Sequence, residues 1–149
     1  NTLVQYGAPA VDYPDVITSV RDVGRANAPF GFADDTLKLR HTLAESTVTV
    51  EDTVLTPRVI SSPRALTENA NYMGNCTAGY EHHIRDNESL IIALDDKTTP
   101  QGATVYNVEI QRGESGRWDT IGEINSRFNS GGSDAEYRTI EAQVAELLQ

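Results

Sequence analysis

Residues 89–123 read SLIIALDDKTTPQGATVYNVEIQRGESGRWDTIGE, and their patterning decides the fold class. Ser89 to Leu94 is nearly all apolar and has the length of a strand. Thr104 to Gln111 alternates, with Val105, Asn107, Glu109 and Gln111 opposite Thr104, Tyr106, Val108 and Ile110. Trp118, Thr120 and Gly122 then alternate with Asp119, Ile121 and Glu123. The loops between these runs, Asp95 to Gly102 and Glu114-Ser115-Gly116, are too short for crossover helices. The three runs therefore read as an antiparallel meander.

Helical signals flank this stretch. Upstream, Ser62-Pro63 offers an N-cap and a proline at the first helical position. Leu66, Ala70, Met73, Thr77, Tyr80 and Ile84 follow at spacings of four and three, which predicts a core-facing helix ending near Asp86-Asn87. Gly74 and Gly79 sit inside it and mark either a close approach or a break, and Asn87 suits a left-handed C-terminal position. Downstream, Ser133 and Glu136 make a capping box, and Tyr137, Ile140, Val144, Leu147 and Leu148 line one face of a second helix. Before all of this, Thr47 to Val50 and Thr53 to Leu55 are β-branched runs joined by Glu51-Asp52, a hairpin pattern. Residues 1–45 carry Pro9, Pro14, Pro29, Gly24 and Gly31, with short helices readable only at Pro14 to Val23 and Asp35 to Glu45. The expected architecture is α+β: a helix, a three-stranded antiparallel meander and a C-terminal helix, with helices on one face of the meander and a separate short N-terminal β-hairpin. Residues 1–45 form an N-terminal segment and 46–149 the α+β domain.

Composition narrows the function classes. A chain of 149 residues, 38% hydrophobic, holds one core without staples, and Cys76, its single cysteine, has no partner for a disulfide. No apolar run approaches the ~18 residues of a membrane span, so a cytoplasmic protein with no membrane partner is expected. With 12 Lys and Arg against 22 Asp and Glu, the net charge is -10, and no basic cluster stands out to grip phosphates. Direct nucleic-acid binding is not expected. The first residue is Asn1, and the start lacks a signal-peptide pattern. A domain cut from a longer protein is the favoured reading, beside proteolytic maturation and a cleaved export signal.

Chemistry concentrates in the middle. On a continuous helix Cys76, Tyr80 and His83, at i, i+4 and i+7, share one face, which suggests a Cys-His nucleophile with His83 as base. Two turns separate Cys76 from His83, about 10 Å along the axis, so a kink at Gly79 would be needed, or His41 from elsewhere. The favoured alternative is structural: Cys76 as a small buried hydrophobe and Tyr80 as a core aromatic. One cysteine and three histidines have no zinc-motif spacing, so no metal is expected, and the glycines form no phosphate loop; no cofactor is expected. Arg117, Trp118, Arg127, Phe128 and Asn129 are candidate interaction residues, because arginine and aromatic side chains anchor interfaces and a meander's outer face or free edge receives partners. Trp118 equally suits the core.

The stretch from Met73 to Ile91 resembles the signature of PcfJ-like proteins of plasmids, prophages and other mobile elements. Cys76, Tyr80, Ile84, Glu88, Ser89, Leu90 and Ile91 match, with Asn87 where that family usually has Gly. Thr104 to Ile110 looks like the family's second strand; Ile121 and Asn129 fit the third, while Glu123 and Ser126 depart from the expected Gln and Gly. The likeness spans about residues 70–129. It implies a mobile-element accessory context and no established reaction. The expected function is a non-enzymatic interaction module acting through a protein partner or larger assembly. The alternatives are a Cys/His-dependent enzyme centred on Cys76 and a processed phage virion component.

Overall fold

The apolar run from Ser89 needs partners on both its faces and both its edges, and satisfying that need shapes the molecule. The computed structural model describes residues 27–129 and 133–149; the helix expected at Pro14 to Val23 lies outside them. In chain order the elements are α1 (Asp34–Ala44), β1 (Val48–Val50), β2 (Thr53–Val59), α2 (Pro63–Met73), a 3-10 turn (Thr77–Tyr80), α3 (Glu81–Arg85), β3 (Ser89–Asp96), β4 (Ala103–Arg112), β5 (Trp118–Ser126), a second 3-10 turn (Arg127–Asn129) and α4 (Asp134–Leu147). The strands make one antiparallel sheet of five, in the order β1-β2-β3-β4-β5, curled into a half-barrel.

This corrects the expected fold within the α+β class. The hairpin does not stand apart from a three-stranded meander, because β2 continues through Pro57 and pairs Thr56–Val59 with Ile92–Asp95 of β3. Proline fits within the strand because β1 stops opposite Leu55 and leaves that side of Pro57 without a ladder partner. Nor do helices cover one face alone. Leu43 of α1 with Ile140 and Val144 of α4 packs on the face formed by Val48, Leu55, Leu90, Ile92, Val108 and Ile110. Leu66 of α2 and Ile84 of α3 pack on the other, against Ile60, Ile91 and Ala93. A strand covered on both sides loses its alternation, which is why 89–94 is continuously apolar.

The single long helix expected after Ser62 is also broken. Its start is as read: the Ser62 side chain accepts from the Ala65 N–H at 3.1 Å, with Pro63 in the first turn. Gly74 then turns left-handed at φ 65° and ends α2. The 3-10 turn and α3 carry the chain to Asn87, left-handed at φ 58°. The stripe still faces inward, with Leu66, Ala70, Met73, Thr77 and Ile84 buried. In α1 the buried residues are Thr36 and Leu43, whereas Leu37 is exposed. The helix is turned by Trp118, whose indole Nε1–H donates to Thr36 Oγ1 at 3.0 Å. The capping box of α4 is present, with Ser133 and Glu136 bonded reciprocally.

Three bulges interrupt the strand alternation. Val105 is extra on β4 between the pairs Leu94↔Tyr106 and Asp95↔Thr104. On β5, Asp119 is extra, and Gly122 and Glu123 together oppose Glu109. Val105 consequently joins the core beside Tyr106, and Ile121 and Ile124, three apart, face the same core.

Candidate functional site

Away from the apolar patch under α2 and α3, the same face of the sheet turns polar. Asp95, Thr104, Asn107 and Glu109 are all buried there, and the first three are joined in a chain of hydrogen bonds. Arg58 Nε donates to Asp95 at 2.8 Å, Thr104 to Asp95 at 2.7 Å, Asn69 to Thr104 at 3.0 Å, and Asn107 to Asn69 at 2.7 Å. Asn75 donates to Asn107 at 2.8 Å and accepts from the Thr77 hydroxyl at 2.8 Å. With donors and acceptors matched, this ladder fixes the segment after Gly74 rigidly over β4.

The ladder ends at a cleft of about 490 Å³ between the 3-10 turn, α3 and β5, lined by Cys76, Tyr80, His83, Glu123, Asn125 and Tyr137 among others. A smaller recess of about 270 Å³ continues past Tyr80 and His83 to Glu88, Ser89, Glu109 and Gln111. The bulge shapes this floor. A side chain at 122 would overlap Glu109 Oε1, so the Glu109 carboxylate leans over the backbone of Gly122. Ser89 Oγ (3.3 Å) and Gln111 Nε2 (2.9 Å) both donate to its other oxygen. The Tyr80 hydroxyl donates to Glu123 Oε1 at 3.4 Å. Burial, then the charges of Glu109 and Glu123, push the Tyr80 pKa up to about 12, so it remains a neutral donor at physiological pH.

The sequence-derived candidates separate here. Cys76, Tyr80 and His83 do line one cleft. Cys76 is exposed, which overturns the expectation of a buried hydrophobe: α2 ends at Gly74, and in the turn that follows the neighbouring Thr77 takes the buried position while residue 76 faces outward. Tyr80 is half-buried with its hydroxyl bonded. His83 Nδ1 lies 2.9 Å from Glu88 Oε1, and among the described residues no hydrogen bond joins His83 to Cys76. His41 is on α1, exposed and 2.8 Å from Glu45. Among the described residues no three metal-ligating side chains converge.

The candidate interaction residues fall at the two ends of β5. Arg117 is exposed beside the β4–β5 turn, whereas Trp118 is buried, its ring under the Arg112 guanidinium at 4.2 Å. At the other end Arg127 stacks on Tyr72 at 4.1 Å and on Phe128 at 4.7 Å. Phe128 is 63% exposed and left-handed at φ 58°, and its ring fills the space beside Gly74. Asn129 closes the 3-10 turn. Asn75 lines the cleft and the Phe128 ring lies against the preceding Gly74, so an exposed aromatic stands beside the cleft, just outside its lining. Glu88, Glu109, Glu123 and Asn125 were not among the candidates. The available signal was the run Asn107, Glu109, Gln111 on one face of an inner strand, where apolar residues are the rule.

No family model matches the chain, and no curated protein or solved structure matches it either.

Proposed function

We propose that the chain is a non-enzymatic interaction module that binds a protein partner through the cleft beside β5. The observation that carries this is Phe128 beside the cleft. A bulky residue is held left-handed, at a cost of roughly 1–3 kcal/mol, and its ring is left 63% exposed. Strain spent on displaying an aromatic ring has a purpose when the ring is covered by another molecule. The face supports this better than the edges do. Gln143 caps β1, and two bulges distort β5, features that discourage strand addition. The likeness of residues 70–129 to PcfJ-like proteins adds a context, an accessory protein of a plasmid or phage working within a larger assembly in the cytoplasm.

The test is a photo-crosslinking phenylalanine analogue at position 128, in the full chain, in cells carrying the element that encodes it. One defined adduct is expected, absent when the analogue replaces exposed Leu37 on α1 and retained in the Cys76→Ala variant. No adduct at 128, or equal trapping at 37, overturns the reading.

A second reading is favoured by one contact. The His83–Glu88 pair has the form of a base oriented by a carboxylate, in a cleft that also holds exposed Cys76. It requires Cys76 to alkylate faster in the native chain than in the unfolded chain below pH 7; equal or slower labelling removes it.

A further inference from the structure

Glu109 is an unusual floor for a cleft. It is only 5% exposed, yet it is a carboxylate. An ionised carboxylate out of water costs several kcal/mol unless it is paired with a cation or fully hydrogen-bonded. Both donors from Ser89 and Gln111 go to Oε2, and Oε1, over Gly122, is bonded by neither. The Tyr80 hydroxyl stands within hydrogen-bond reach of both Glu109 and Glu123, and its one proton cannot serve both carboxylates at once. Among the described residues no Lys or Arg pairs with either carboxylate. Arg112 borders the recess, but its guanidinium is bound to Asp35 and to the carbonyls of Asn87 and Gly116. Glu123 thus lines the cleft and Glu109 the recess beside it, on either side of Tyr80, and no cation balances them in a chain of net charge -10.

The bulge brings both to the same stretch of β5. Gly122 and Glu123 oppose Glu109, so Glu123 stands on β5 while Glu109 reaches across to β5 from β4. Tyr80 and His83 border the recess, and aromatic faces favour a cation over a neutral group. Phe128 and Tyr72, 63% and 40% exposed, provide apolar surface near the cleft, which a free small cation would leave uncovered and a polypeptide would not.

We infer that the cleft and its adjoining recess receive a lysine or arginine side chain of a basic protein segment, its cationic head beside the Tyr80 hydroxyl where Glu109 and Glu123 flank it and the adjoining chain against Phe128. This rests on the interaction-module reading and specifies its partner. The probe is the peptide acetyl-Gly-Arg-Phe-Gly-amide against the same peptide with citrulline, the neutral isostere of arginine, followed by amide shifts of the full chain in NMR titrations. The arginine peptide is expected to move the Tyr80, Gly122 and Glu123 amides at concentrations at least tenfold lower than the citrulline peptide. That preference should shrink with added salt and disappear in both Glu109→Gln and Glu123→Gln. Unchanged stability curves will show that those variants remain folded. Equal binding of the two peptides, or a preference that survives both substitutions, overturns the cationic partner while leaving the interaction module standing. Shifts produced by spermidine and not by the arginine peptide would assign the site to a free polyamine, and shifts that depend on protein concentration alone would assign it to a second copy; either overturns the proposal. Failure of the crosslink at 128 with the arginine preference intact would instead remove the module and keep the cation site.

Discussion

Gly74 and Phe128 lie 54 positions apart and exchange conformational roles: the glycine has no side chain, and the phenylalanine ring occupies the space that leaves. Gly74 is also left-handed at φ 65°, where any other residue is strained. Gly74→Ala should therefore cost about 1–2 kcal/mol from the backbone alone and more from overlap with the ring. Urea denaturation checks this. In a double-mutant cycle Phe128→Ala should return the overlap part and not the backbone part; strict additivity would show that the two residues do not share the space. The sequence presents Gly74 as a break or a close approach, and it is both. What it could not present is the ring that approaches, since that contact depends on how β5 ends. Cys76 shows the same limit: helical spacing puts it beside Tyr80 and His83, and the turn that follows Gly74 leaves it facing water.

Strand β1 has three residues and one free edge, and α4 closes that edge with a single side chain. Gln143 Oε1 accepts from the Thr49 N–H at 2.8 Å, and its Nε2–H donates to the Thr49 carbonyl at 2.6 Å, as a neighbouring strand would. Gln143→Ala should cost about 1–2 kcal/mol and speed hydrogen exchange at Thr49. Gln143→Glu, which keeps the acceptor and loses the donor, should fall between. No change in Thr49 exchange would deny the cap. Elements with a local cause were legible in the sequence: both helix starts at Ser62 and Ser133, the left-handed Asn87, and the three strands after it. Bulges were not, because a pattern of period two says nothing about where one residue is added. The bulge opposite Glu109 is the feature that builds the candidate site, so the site was less legible than the strands around it.

Joining the hairpin to the other strands is a decision of the whole chain. The clue was an apolar run that no one-sided meander explains, and its answer lay across α2 and α3. Arg112 holds the ends of that arrangement together. Its guanidinium grips Asp35 of α1 at 2.6 and 3.1 Å, the Asn87 carbonyl at 2.7 Å and the Gly116 carbonyl at 2.8 Å, over the Trp118 ring. Arg112→Lys keeps the charge and loses the fork, so it should cost about 1–3 kcal/mol. The Arg112 hydrogen bond holds the Asp35 carboxyl below its ordinary value of 3.8. The ion pair's contribution is therefore complete above that value and is lost as pH falls through the lowered one; because Asp35 is largely solvated, the effect is small. Acid unfolding of Asp35→Asn should converge with the parent at low pH, and a gap that persists there would place the stabilisation elsewhere. The cap on β1 also has a temporal side. Thr49 waits for a residue 94 positions later, and at ~5–20 residues per second a ribosome needs roughly 5–20 s to deliver it. Through that interval the nascent hairpin has an open flank. Slowing translation after residue 59 should thus lower the yield of native chain more than slowing it before residue 48, and a holdase that shields nascent chains should matter most within that window.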